Sequence, residues 1–119
     1  MLEQQPLPAN IAPYVEALGT DDAVRLFLSV GGSDIYLPRR SSPRSLAARA
    51  IGPDRVDRLA QRFGYGYIKV PLARQWVASV MKANGASLAE IARTVRADVA
   101  TVRRWLGPAE DHRQIDLFS

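Results

Sequence analysis

A mainly α-helical fold with two short β-strands is the class this sequence predicts. Three observations carry it: apolar residues recur at helical spacing along most of the chain, glycines close those stretches, and only two short segments alternate as strands do. The 119 residues suffice for one small domain or for two modules that share a core, and they exclude a large multidomain enzyme. An apolar content of 47% with 24% charged residues is that of a globular chain, so a packed core is expected.

Taken in order, Ile11, Tyr14, Val15 and Leu18 mark a short amphipathic helix, and Leu26, Phe27 and Val30 form the apolar face of the next. These faces either close an intrachain core or meet a second subunit. Thr20 is placed to cap the second helix through its hydroxyl. Glycine then stops that helix, and residues 35–37 read as a short strand ended by Pro38. The connector RRSSPRS at 39–45 is basic, and 45–51 reads as a short helix.

The next segment repeats an earlier one. ALGTDDAVRLFLSVGGSDIYLP at 17–38 lies over AIGPDRVDRLAQRFGYGYIKVP at 50–71, an offset of 33 residues. Ala17, Gly19, Asp21, Arg25, Leu26, Gly31, Ile35 and Pro38 match Ala50, Gly52, Asp54, Arg58, Leu59, Gly64, Ile68 and Pro71. In the second copy Pro53 suits a first helical turn, and 67–70 is the strand. A lone short strand is unstable. The two therefore pair as an antiparallel ribbon within one chain, or each pairs with its twin across a dimer axis; chance likeness of two helix-Gly-strand units is the competing explanation.

Residues 71–83 carry Leu72, Trp76, Val77, Val80 and Met81 at helical spacing, a stripe suited to dock on the next two helices as their support, with Trp76 in the core. Asn84 and Gly85 end that helix. The stretch SLAEIARTVRADVATVRRWL at 87–106 then fits a helix-turn-helix. Ile91, Ala92, Val95, Ala97, Val102 and Trp105 hold its apolar places, and Ala92 is small where the helices cross. Ser87 and Asp98 are placed to cap the two helices. Thr101, Arg103 and Arg104 project from the outer face of the second helix, where base edges and phosphates of double-stranded DNA would lie, and Arg93 and Arg96 add positive charge. The turn position that usually holds glycine is Arg96, at a cost of about 1 kcal/mol if it takes a positive φ. A helical hairpin of purely structural role is the alternative.

Charge is unevenly spread. Residues 1–38 carry a local balance of −4, residues 39–107 one of +10 and residues 108–119 one of −2, within an overall +4. The basic block holds the helix-turn-helix, as expected of a phosphate binder; RNA or an acidic protein would also suit basicity alone.

In motif order, roughly 50–107 resembles the Mor family of phage transcription activators: a helix ending in glycine, a short strand closed by proline, one helix, then a helix-turn-helix with TVRRWL in its second helix. GGSDIYLP at 31–38 looks most like the family's Gly-Gly strand, whereas FGYGYIKVP at 63–71 holds its place upstream of the DNA-binding motif. That split departs from the family and suggests a duplicated element, so subunit pairing through this strand need not carry over. The resemblance implies a homodimer that binds promoter DNA and contacts RNA polymerase. It further implies Thr101, Arg103 and Arg104 in the major groove, Gly64 and Gly66 letting backbone approach phosphate, and half-sites about one helical turn apart.

Gly107 and Pro108 stop the last helix, and the polar tail beyond turns apolar at its end. Gln114, Ile115, Asp116, Leu117 and Phe118 resemble the pentapeptide by which bacterial replication and repair proteins bind the β sliding clamp. Leu117 and Phe118 are adjacent anchors for one hydrophobic pocket, Gln114 offers an amide at its rim, and Asp116 stays at the edge. Alternatively Ile115, Leu117 and Phe118 fold back to cover the body or a dimer mate.

Catalysis has little support. His112 is the sole histidine and there is no cysteine, so a His pair for a metal, thiolate zinc, a serine-activating base and disulfides are all excluded. Asp21, Asp22, Asp54 and Asp57 sit at helix starts, where carboxylates meet the positive end of the helix dipole. GYGY at 64–67 lacks the spacing and the Lys of a phosphate loop, so neither cofactor nor metal is expected. With no 18-residue apolar run, no secretory leader and no cysteine, the expected setting is cytoplasmic and nucleoid-associated, away from membranes. Two functions are expected on these grounds: a sequence-specific phage-type transcriptional regulator, or a replisome-interaction protein that docks on the clamp to recruit a factor or inhibit replication.

Overall fold

The computed structural model describes residues 7–40 and 42–107. The chain divides after Ala73 into two units. Unit 1 holds α1 (Ala12–Leu18), α2 (Thr20–Val30), β1 (Asp34–Leu37), α3 (Leu46–Ile51), α4 (Pro53–Phe63) and β2 (Gly66–Lys69); unit 2 holds α5 (Arg74–Ala83), α6 (Leu88–Val95) and a helix at 99–107, α7. The fold is mainly helical with a two-stranded antiparallel sheet.

Unit 1 is built from two copies of one element. In each, a short helix ends at a glycine with positive φ, Gly19 at 84° and Gly52 at 92°, and that same glycine opens an eleven-residue helix. The proposed hydroxyl cap is therefore corrected: Thr20 is the first helical residue, and the N-cap position belongs to Gly19. Only glycine turns the chain so sharply between two helices without a Cβ penalty. Ser45, in contrast, caps α3 as a side chain should, its Oγ accepting the Ala48 N–H at 3.0 Å.

The two copies exchange partners. α1 packs on α4 and α3 packs on α2, so each short helix covers the long helix of the other copy. β1 and β2 pair antiparallel with Ile35 opposite Ile68, positions that the repeat itself makes equivalent. A second contact joins equivalent positions, for the Arg55 guanidinium pairs with the buried Asp22 carboxylate, which Arg25 also reaches at 3.3 Å. Contact between equivalent residues is the mark of a two-fold axis, so unit 1 has the symmetry of a dimer inside one chain.

That arrangement decides where the apolar faces go. Ile11, Tyr14, Leu18, Leu26, Phe27 and Val30 from the first copy are buried with Ala47, Ile51, Val56, Leu59 and Ala60 from the second. The choice between intrachain core and subunit contact is thus resolved in favour of the core. Tyr14 stands between Phe27 and Phe63, its ring centroid 5.1 and 4.8 Å from theirs, and burial pushes its phenol above the usual pKa of 10.0.

Symmetry fails at the glycine that ends each long helix. Gly64 has φ of 90° and open space beside it. Gly31 has an ordinary φ of −56°, yet a Cβ there would lie 2.4 Å from the Phe27 carbonyl and 3.0 Å from that of Pro71. Gly31 is needed for close approach of backbone to backbone, which lets Gly32 N–H reach the Val70 carbonyl at 2.7 Å and Val70 N–H reach that of Ser33 at 2.9 Å, extending the ribbon. Gly31→Ala should accordingly cost about 1–3 kcal/mol, an overpacking penalty readable as a lower urea midpoint of the full chain by circular dichroism.

Candidate nucleic-acid interface

Unit 2 is a three-helix arrangement around Val77, Ala78, Ile91, Ala92, Val95 and Val102, all buried. α5 begins at Arg74, later than the expected start at 71. Leu72 lies before it and is 53% exposed, so it does not belong to the stripe, and Trp76 is only half-buried. The late start of α5 and the exclusion of Leu72 have a local reason: Ala73 takes a φ of 58°, which redirects the chain just ahead of α5.

Both expected caps of the helix pair form. Ser87 Oγ accepts the Glu90 N–H at 3.1 Å, and Asp98 Oδ1 accepts the Thr101 N–H at 2.7 Å. The Thr101 N–H first, then its hydroxyl and the Arg104 charge, hold the Asp98 carboxyl below its usual range. Arg96 adopts the left-handed conformation, φ 59° and ψ 51°, at the end of α6.

Arg74, which the sequence did not single out, holds that turn in place. Its Nε donates to the Val95 carbonyl at 3.0 Å and its Nη2 to the Arg96 carbonyl at 2.9 Å. These are carbonyls that the end of α6 leaves without helical partners. The same guanidinium lies 5.6 Å from the centroid of the Trp105 ring on α7, so one side chain ties α5, the turn and α7 together. The only sequence signal was an arginine at the start of a helix, which gives no hint of a partner 21 residues away.

The outer surface of α7 is then defined. Arg103 and Arg104 are exposed, as are Val99 and Ala100 one turn before them, and these four share one side of the helix. The sequence places Val99 and Ala100 neither in the core nor on the outer face, since small and medium apolar residues at a helix start carry no signal of which side they take. Thr101 is corrected: it is half-buried, its N–H engaged by Asp98, and so it lies at the margin of this face and not on its crest. Arg93 and Arg96 are exposed on α6 and at the turn. Ser87, Arg93, Arg96, Asp98, Thr101, Arg103 and Arg104 thus belong to one helix pair, whereas Gly64 and Gly66 lie in unit 1, at either side of Tyr65 ahead of and at the start of β2. Gln114, Ile115, Asp116, Leu117 and Phe118, together with His112, lie outside the described residues.

Among the described residues, no cluster of His, Cys, Asp and Glu could hold a metal ion, and no helix is long and apolar enough to cross a membrane. Comparison with protein-family models, curated proteins and solved structures finds no match.

Arg74→Ala should lower stability by about 1–3 kcal/mol, the scale of losing charge-assisted hydrogen bonds to one partly buried and one exposed carbonyl. Arg74→Lys should recover only part of this, since a single ammonium cannot span two carbonyls as a fork does; thermal unfolding of the full chain measures both.

Proposed function

We propose that unit 2 binds duplex DNA, laying α7 in the major groove, and that the protein is a non-enzymatic transcriptional regulator of phage type. The observation that carries this reading is the surface of α7: beyond a capped and clamped turn, Val99, Ala100, Arg103 and Arg104 stand exposed on one side of it. Residues near the start of the second helix of such a motif are those that meet base edges. Arg103 can address guanine by its paired donors and Val99 can meet a thymine methyl, while Arg93, Arg96 and Arg104 supply charge for phosphates that set register. The order of elements that resembles the Mor family supports a regulator with RNA polymerase as a further partner. In unit 1 β1 and β2 pair within one chain, so a homodimer of this protein would form through other surfaces.

The test starts from a random duplex pool, since the operator is unknown. Selection with the full chain should enrich one sequence, bound at least about a thousandfold tighter than random duplex. Arg103→Ala should reduce that preference by about tenfold or more, and Arg104→Ala should lower affinity for all duplexes and flatten the salt dependence by about one unit of slope. Equal affinity for all sequences with an unchanged salt slope would sink the reading.

A second reading rests on the sequence of the tail, where Gln114, Ile115, Asp116, Leu117 and Phe118 fit a clamp-docking peptide. It places the chain at the replication machinery in a bacterial cytoplasm or nucleoid. A purified β sliding clamp should bind the full chain at about micromolar Kd and release the variant carrying Leu117→Ala and Phe118→Ala; clamp binding that ignores those changes would refute it.

A further inference from the structure

The β1–β2 register sorts the ribbon into two faces. Ile35 with Ile68 and Leu37 with Gly66 point one way, and Leu37 is fully buried. Asp34 with Lys69 and Tyr36 with Tyr67 point the other. On that outward face Tyr36 is 55% and Tyr67 is 76% exposed, their rings edge to face with centroids 5.0 Å apart. Two residues before Tyr67, Tyr65 is also 55% exposed, and the Arg39 guanidinium stands 4.8 Å from its ring centroid. Lys69 on β2 and Arg39 and Arg40 just after β1 are exposed cations, and Asp34 is the one carboxylate within the two strands.

Core burial does not account for this arrangement, because the packing of unit 1 uses the opposite face and leaves all three rings mostly exposed. Two large rings left in water on a two-stranded ribbon and a third just ahead of its second strand, flanked by more positive than negative charge, suit a polymer that alternates flat apolar bases with phosphates. The excess of cations over carboxylates beside these rings favours a polyanion as the occupant.

We propose that this outward face is a stacking platform for single-stranded DNA, with bases on Tyr67, Tyr36 and Tyr65 and phosphates on Arg39, Arg40 and Lys69. The site is distinct from α7, which addresses duplex. The choice of DNA over RNA rests on the duplex-binding reading of unit 2, since DNA opened beside a bound site would supply such a strand.

The experiment is fluorescence anisotropy of the full chain with a labelled oligothymidylate of about a dozen residues, within the range of sites that use aromatic stacking. Wild type should bind, and the pair Tyr36→Ala, Tyr67→Ala should weaken binding about tenfold or more with an unchanged far-ultraviolet spectrum. The pair Tyr36→Phe, Tyr67→Phe should bind nearly as wild type, because stacking needs the ring and not the hydroxyl. Arg103→Ala with Arg104→Ala should leave oligothymidylate binding intact while duplex selection fails, which separates the two sites. Wild-type affinity in the Tyr-to-Ala pair, or no binding by wild type, would overturn the proposal. So would tighter binding of oligouridylate, or sedimentation showing that this face joins two copies of the chain and that the Tyr-to-Ala pair separates them.

Discussion

Unit 1 depends on the mutual completion of two half-folds. A helix of seven or six residues and one of eleven, joined by a glycine and followed by a four-residue strand, cannot bury its own apolar face or satisfy its own strand edge. When the second copy is present, each short helix covers the other's long helix and each strand finds its partner. Placing Ile35 against Ile68 sets the register for the whole ribbon, and because side chains alternate along a strand, it also decides that the tyrosines face outward. The Asp22–Arg55 pair lies between equivalent positions of the long helices and gives a buried carboxylate the partner it requires.

Unit 2 solves a different problem, that of holding a short turn rigid without glycine. Arg96 takes a left-handed conformation that an L side chain adopts at some cost. The compensation comes from outside the motif, for Arg74 donates to the two carbonyls at that point and rests its guanidinium over Trp105. A glycine would have relaxed the turn but removed a surface cation; retaining arginine keeps positive charge beside α7. Stability and charge are thereby supplied by different residues, Arg74 within and Arg96 without.

The basic character of the middle of the chain serves these two units differently. In unit 2 it lies on exposed arginines around α7, and in unit 1 it is divided between helix arginines, of which Arg55 pairs with Asp22 and Arg62 with Glu16, and Arg39 beside the aromatic face of the ribbon. Long arginines combine with flat rings in both places, Arg74 with Trp105 as a structural clamp and Arg39 with Tyr65 at an exposed surface. Arg74 and Trp105 are half-buried and Arg74 is fixed by two carbonyls, whereas Arg39 and Tyr65 are exposed.

Local and periodic features were legible in the sequence. Helices at 3.6-residue spacing, their ends at Gly31, Gly64 and Gly85, the caps Ser87 and Asp98, and the repeat all depend on neighbours within a few residues, or on the chain compared with itself. What needed tertiary structure was each decision between partners far apart: that the two strands pair within one chain, that Gly31 is crowded by the backbone of Pro71, that Arg74 reaches Val95 and Arg96, and that Val99 and Ala100 face outward while Thr101 is half-buried. Periodicity states that a helix has an apolar face, but not which neighbour covers it or where that cover ends. Those outcomes are set by packing volume and by which orphaned carbonyl a distant guanidinium can reach, quantities that exist only once the chain has folded.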